Sequence, residues 1–68
     1  MLFHVDNMSC QHCVRAVTKV VQAIDAHSEV HVDLSAKQVS VSGAPNADAV
    51  IAALGEEGYP ARLLDAGG

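Results

Sequence analysis

The sequence predicts an α+β fold in which two helices cover one face of an antiparallel sheet. Three observations support this prediction. Four short segments alternate apolar and polar residues, as half-buried strands do: 2–6, 29–34, 38–42 and 59–64. Two longer segments repeat apolar residues every three or four positions, as amphipathic helices do. The segments follow one another as strand, helix, strand, strand, helix and strand.

The first strand and the first helix have the clearest patterns. Phe3 and Val5 are expected to face the core from the strand, and a loop over 7–11 leads to a helix from Gln11 to about Ala26. The predicted apolar face of this helix comprises Val14, Val17, Val20, Val21 and Ile24. Because valine is only a moderate helix former, packing against the sheet must hold the segment helical.

The middle of the chain predicts a β-hairpin. Segments 29–34 and 38–42 are separated by the short reversal 35–37, which suits antiparallel neighbours. The residues expected to face inward are Val30, Val32, Leu34, Val39 and Val41.

The second helix is expected to begin at Ala47, with Asn46 as its N-cap, and to end near Gly58, a favourable C-cap residue. Its apolar stripe comprises Ala47, Val50, Ile51 and Leu54. The last strand has one side formed by Tyr59, Ala61 and Leu63. Pro60 lacks an N–H and therefore predicts an edge strand.

This order of elements predicts a ferredoxin-like βαββαβ sandwich with a four-stranded antiparallel sheet. A chain of 68 residues has room for one domain. We expect that domain to cover residues 1–64, followed by a flexible C-terminal tail over 65–68.

Composition and charge argue against two classes of function. The formal net charge of −4 disfavours nucleic acid as a partner. No apolar run approaches the roughly 18 residues that a membrane span needs, and the first residues do not resemble a secretory signal. We therefore expect a cytoplasmic protein, in which two cysteines three positions apart indicate metal or redox chemistry rather than a structural disulfide.

Both cysteines lie in one motif, Met8-Ser9-Cys10-Gln11-His12-Cys13, where a loop becomes a helix. Residues three apart share a helix face, and a helix N-terminus stabilises thiolates. The spacing indicates either a soft-metal site or thiol–disulfide redox chemistry, with inert buried thiols as a third interpretation. This end is also locally basic: residues 1–22 hold two bases and one acid (+1), and the other 46 hold two bases and seven acids (−5).

The pattern around the motif reads Phe3-x-Val5-x-x-Met8-x-Cys10-x-x-Cys13. Together with the valine-rich hairpin and Gly58-Tyr59, it resembles the heavy-metal-associated domain family over essentially the whole chain. Within that family, the motif is similar to the site of small bacterial copper chaperones. The family usually has glycine before the methionine, whereas this chain has Asn7, a residue that tolerates a left-handed backbone.

The resemblance implies that Cys10 and Cys13 bind Cu(I). Met8 is expected to pack beneath the loop, with thioether ligation as the alternative. His12 is either an exposed residue at the helix start or an additional nitrogen ligand in a copper cluster. Tyr59 either shields bound copper, as the family implies, or is a plain core aromatic.

The implied function is that of a copper chaperone and not an enzyme. By resemblance, the recipient of Cu(I) is the metal-binding domain of a copper-transporting P-type ATPase or a copper-responsive regulator. Arg15 and Lys19, one helical turn apart, are either a docking patch for that recipient or a solvated helix face. We expect a monomer without copper and a copper-bridged dimer with it.

Three alternatives remain open. The chain is a domain excised from such an ATPase, although the start at Met1 and the short glycine-rich end favour a stand-alone protein. A mercury carrier is less favoured because periplasmic mercury binders carry signal peptides. A thiol–disulfide redox protein needs its CxxC motif on a thioredoxin-like βαβ core, whereas this sequence predicts a hairpin after the first helix.

Overall fold

The computed structural model describes residues 1–43 and 46–65. Its elements follow the predicted order: β1 (Leu2–Val5), α1 (Gln11–Ile24), β2 (Val30–Asp33), β3 (Gln38–Val41), α2 (Ala47–Glu56) and β4 (Ala61–Asp65). The four strands form one antiparallel sheet in the order β2-β3-β1-β4. The predicted ferredoxin-like βαββαβ sandwich is confirmed. Neither helix in these two ranges has the length and apolar character needed to cross a membrane.

Strand β1 lies at the centre of the sheet and leads directly into the cysteine motif. Phe3 is paired with Val39 of β3 on one side and with Leu63 of β4 on the other. Phe3 and Val5 are both fully buried, as the alternating pattern predicts. The start of the cysteine motif is therefore attached to a central strand whose inward residues are fully buried.

Both helices pack on the sheet face that carries Phe3 and Val5, and a single core results. Its buried members are Phe3, Val5, Met8, Cys13, Val17, Val21, Val39, Val41, Val50 and Leu54. Three of them lie on α1, including Cys13. Burial of this apolar face compensates for the moderate helix propensity of the valines in α1.

The first helix ends earlier than predicted, at Ile24 rather than near Ala26. Asp25 has an extended backbone, and its carboxylate accepts a hydrogen bond from the His27 N–H at 3.0 Å. This local side-chain bond competes with helical continuation and stops the helix. Ile24 is 37% exposed, so its predicted place in the core was wrong.

The last strand is shifted relative to the prediction. It begins at Ala61, which leaves Tyr59 and Pro60 in the preceding loop, and it ends at Asp65, the residue predicted to begin the tail. Residues 66–68 of that predicted tail lie outside the described residues. Strand β4 is an edge strand, as Pro60 predicts. Because only one neighbouring strand covers it, Leu63 remains 39% exposed although it is opposite Phe3.

The second helix is capped at both ends by the predicted residues. The Asn46 side chain accepts a hydrogen bond from the Ala49 N–H at 3.1 Å. After the helix, Gly58 has φ +88°, and the Tyr59 N–H donates to the Leu54 carbonyl at 2.8 Å. This is a Schellman C-cap, in which a left-handed glycine reverses the chain and satisfies the last carbonyls. The cap determines where the backbone of Tyr59 leaves the helix.

Candidate metal centre

The cysteine loop (residues 6–10) joins β1 to α1 and is folded tightly against the core. Asn7 has φ +70°, in the left-handed region that asparagine tolerates. Met8 is 3% exposed and belongs to the core cluster. Met8 therefore lies beneath the loop, where it was expected to pack. A buried side chain at Met8 anchors the loop just before the first cysteine.

The structure brings the two thiols together at the start of α1. Cys10 occupies the N-cap position with an extended backbone, and its carbonyl accepts hydrogen bonds from the N–H groups of Cys13 and Val14. The Cys10 and Cys13 sulfur atoms are 3.8 Å apart, and both cysteines are free thiols. Two metal–sulfur bonds of about 2.3 Å can span this separation. One ion can therefore bridge the two sulfur atoms in a bent arrangement.

The two cysteines differ in exposure and in electrostatics. Cys10 is exposed, whereas Cys13 is 9% exposed. Hydrogen bonds from the Ser9 backbone, the Tyr59 side chain and Cys10 lower the pKa of Cys13 to about 7, against the opposing effect of burial. A substantial fraction of Cys13 is thus thiolate near neutral pH, the form that binds metal ions.

Tyr59 lies beside the cysteine pair. Its side chain is half-buried and packs against the core. The pKa of Tyr59 is raised, first because its hydroxyl is hydrogen-bonded with Cys13, and further by burial and by the charge of the cysteines. Tyr59 therefore packs on the core and lies next to Cys13, and its shielding of bound copper stays a prediction.

The remaining predicted residues are on the surface of α1. His12, Arg15 and Lys19 are all exposed. Residues 1–43 and 46–65 contain no group of three or more His, Cys, Asp or Glu side chains placed to hold an ion. Among these residue types, the described chain therefore offers a metal two sulfur ligands rather than the four of a structural zinc site.

Sequence reasoning missed the role of the Asn7 side chain. The amide Nδ2 donates a hydrogen bond to the Gly58 carbonyl at 3.0 Å, and the backbone carbonyl of Asn7 accepts one from the Cys13 thiol at 3.7 Å. The indication in the sequence was the asparagine at a position where the family usually has glycine. Tolerance of a left-handed backbone accounts for asparagine at this position without any role for its amide, so the sequence alone does not indicate the bond to Gly58.

Comparison with known proteins assigns the family. The heavy-metal-associated domain model matches residues 2–60. The copper chaperone CopZ of Bacillus subtilis is 55% identical over 38 residues, which cover 56% of this chain and 55% of CopZ. Copper-transporting ATPase 1 of Rhizobium meliloti is 31% identical over 64 residues, 91% of this chain and 8% of that protein.

The fold comparison agrees. The solved structure of the copper chaperone Atx1 from Synechocystis superposes with a TM-score of 0.84 at 32% identity, covering 91% of this chain and 98% of Atx1. The matched stretch is thus about half of CopZ and a small part of the ATPase, but nearly all of Atx1. From the family match and these likenesses, we conclude that the chain belongs to the heavy-metal-associated domain family.

Proposed function

We propose that the chain is a copper chaperone that binds Cu(I) through Cys10 and Cys13 and passes it on by ligand exchange. One observation carries the proposal: two free thiols lie 3.8 Å apart at a helix start, in a chain of the heavy-metal-associated family. Cu(I) is a soft ion that two thiolates satisfy. The similarity to CopZ and Atx1, both named as copper chaperones, supports copper as the cargo.

The unequal exposure of the cysteines suggests the order of transfer. A thiolate of the recipient attacks the bound ion and forms a third sulfur–copper bond. The exposed Cys10 then leaves. A second thiolate of the recipient replaces Cys13, which leaves last because it is held in the core. Thiolate replaces thiolate at each step, so copper stays Cu(I) and no free ion is released. The task is delivery rather than catalysis.

The proposed recipient is the metal-binding domain of a copper-transporting P-type ATPase or a copper-responsive regulator. Arg15 and Lys19 are exposed on the helix that begins at the cysteines, while the protein as a whole has a net charge of −4. A positive patch beside the site suits brief, charge-steered encounters with an acidic partner. We place the protein in the cytoplasm, where reducing conditions keep such thiols free.

Similarity to an ATPase over 91% of this chain favours a second candidate, a metal-binding domain within a longer copper-transporting ATPase. Such a domain binds the same ion through the same pair but receives it instead of delivering it. Copper exchange with an isolated chaperone of the same organism separates the two. A delivering protein loses copper to the ATPase domain, and a receiving domain gains it from the chaperone.

Anaerobic titration with Cu(I), followed by native mass spectrometry, tests the proposal. We expect tight uptake of one copper per chain, bound to the thiolate forms of both cysteines. The reduction potential of the cysteine pair separates metal carriage from redox catalysis. A potential near about −180 to −270 mV, where disulfide oxidoreductases lie, together with weak copper uptake, would overturn the proposal in favour of a redox protein.

A further inference from the structure

Two hydrogen bonds from the cysteine loop bracket Tyr59. The Asp6 N–H donates to the Pro60 carbonyl at 2.8 Å, and the Asn7 amide donates to the Gly58 carbonyl at 3.0 Å. These acceptors belong to the residues immediately before and after Tyr59. The backbone of Tyr59 is therefore held against the cysteine loop from both sides.

Only the Asn7 bond depends on a side chain. The bond from Asp6 is made by the backbone and is available to almost any sequence. Asn7 also contacts Cys13, since its backbone carbonyl accepts a hydrogen bond from the Cys13 thiol at 3.7 Å. One residue thus contacts both the buried cysteine and the loop that places Tyr59 beside it.

We propose that Asn7 is a positioning residue that holds Tyr59 at Cys13 and thereby slows the transfer of bound copper. The copper part of this inference rests on the proposed function. An incoming thiolate needs room beside the ion, and Tyr59 occupies the Cys13 side of the site. When the Tyr59 loop (residues 57–60) is held in place, the ring blocks an incoming thiolate on that side. When the loop moves more, the thiolate can reach the ion. A loop that is already ordered in the metal-free protein also loses less conformational entropy when metal binds.

Asn7→Gly is the appropriate variant because glycine adopts φ +70° without strain and lacks the amide. Asn7→Ala would add left-handed strain to the loss of the hydrogen bond. The matched control is Lys37→Gly, since Lys37, with φ +55°, is the other non-glycine residue at positive φ in the described chain. Both variants raise the conformational entropy of the unfolded chain by a similar amount, but only Asn7→Gly removes a contact with the Tyr59 loop.

The metal-free protein provides a direct measure of the position of Tyr59. It is the only tyrosine, and there is no tryptophan, so intrinsic fluorescence reports this ring alone. In Asn7→Gly we expect lower tyrosine anisotropy, because the ring is held less firmly. We also expect roughly three- to ten-fold faster hydrogen exchange at the Asp6 amide, because the net free energy of one exposed hydrogen bond corresponds to a factor of that size. In Lys37→Gly both readings should equal the wild type.

Copper transfer is then measured by stopped flow from each loaded protein to a bidentate Cu(I) chelator. We expect roughly three- to ten-fold faster transfer from Asn7→Gly and an unchanged rate from Lys37→Gly. Unchanged anisotropy and Asp6 exchange in Asn7→Gly overturn the positioning role. A looser Tyr59 with the wild-type transfer rate overturns the effect on copper.

The same experiment separates this inference from the proposed function. If the wild type takes up no Cu(I), the proposed function fails, and the effect of Asn7 on transfer fails with it. The metal-free readings still decide whether Asn7 holds Tyr59 in place. If the wild type binds and transfers copper but the two glycine variants behave alike, only the inference about Asn7 is lost.

Discussion

The sulfur atoms of Cys10 and Cys13 lie 3.8 Å apart, yet Cys10 is exposed and Cys13 is buried in the core. The asymmetry arises because Cys10 is the N-cap of α1, outside the packed face, while Cys13 is on the inward face of the first turn. One thiol is therefore open to solvent, and the other is packed in the core.

Replacing either cysteine with serine should abolish tight Cu(I) binding, because a single thiolate remains. The affinity loss should exceed the roughly 10–100-fold cost of losing an outer-shell partner. The two variants should differ in stability. Cys10→Ser leaves the free energy of unfolding nearly unchanged, whereas Cys13→Ser lowers it by placing a hydroxyl in the core. Chelator competition and urea unfolding measure both effects, and wild-type affinity in either variant would refute the assignment of the ligands.

Cys13 should titrate near neutral pH. Hydrogen bonds from the Ser9 backbone and the Tyr59 hydroxyl lower its pKa to about 7, so the alkylation rate of Cys13 should rise as pH passes through 7. Tyr59→Phe removes one of these bonds, and the midpoint should move to higher pH. Mass spectrometry after timed alkylation measures each cysteine separately. A Cys13 midpoint near 9.0, its ordinary value, would contradict the prediction.

The same lowered pKa predicts how stability depends on pH. Because the folded pKa of Cys13 is below the unfolded one, its ionisation stabilises the fold fully above about pH 9, and this contribution is lost as pH falls through 7. The free energy of unfolding should therefore rise from pH 6 to 9 more in the wild type than in Cys13→Ala. Parallel urea titrations of both proteins at each pH measure the difference. Equal slopes would show that Cys13 keeps its ordinary pKa in the folded state.

Much of this fold is predictable because its patterns are local. The alternation that buries Phe3 and Val5 and the caps at Asn46 and Gly58 require only neighbouring residues. The predicted end of α1 was two residues too late because the Asp25 carboxylate accepts a hydrogen bond from the His27 N–H and stops the helix at Ile24. The start of the last strand was misplaced because the Tyr59 N–H donates to the Leu54 carbonyl in the helix cap and Pro60 has no N–H, so neither residue donates to the sheet.

The candidate site shows the same division between local and distant effects. The approach of Cys10 to Cys13 follows from a helix start and a spacing of three. The asymmetry between them does not, because the burial of Cys13 depends on packing against distant strands. Likewise, no periodic pattern reports that the Asn7 amide reaches Gly58, 51 positions away. Contacts between residues so far apart in the sequence are visible only in the folded structure.

Copper above one equivalent should convert a monomer into a dimer. The exposed Cys10 leaves room for a second copy to share the ion, and His12 is exposed two residues away. His12→Ala should bind the first copper normally and form fewer multi-copper species. Sedimentation velocity at increasing copper loading measures the change of mass. A monomer at every loading would contradict the predicted dimer.

Arg15 and Lys19 should accelerate copper transfer without affecting copper binding. Both are exposed, so they add little to stability, but charges beside a site raise association rates with an oppositely charged partner. Arg15→Glu with Lys19→Glu should slow stopped-flow transfer to an acidic recipient domain at low salt. The difference should shrink in 0.15 M salt, where screening acts over about 8 Å.

The chain offers a matched control for this change in Lys37 and Arg62, its two other basic residues. Lys37 lies in the hairpin turn and Arg62 on the edge strand β4, so reversing both charges changes the net charge equally but leaves α1 intact. If the patch steers docking, the α1 double variant is slower than this control at the same net charge. Equal slowing by the two double variants would mean that overall charge alone governs encounter. A wild-type rate for the α1 variant at low salt would mean that Arg15 and Lys19 form only a solvated helix face.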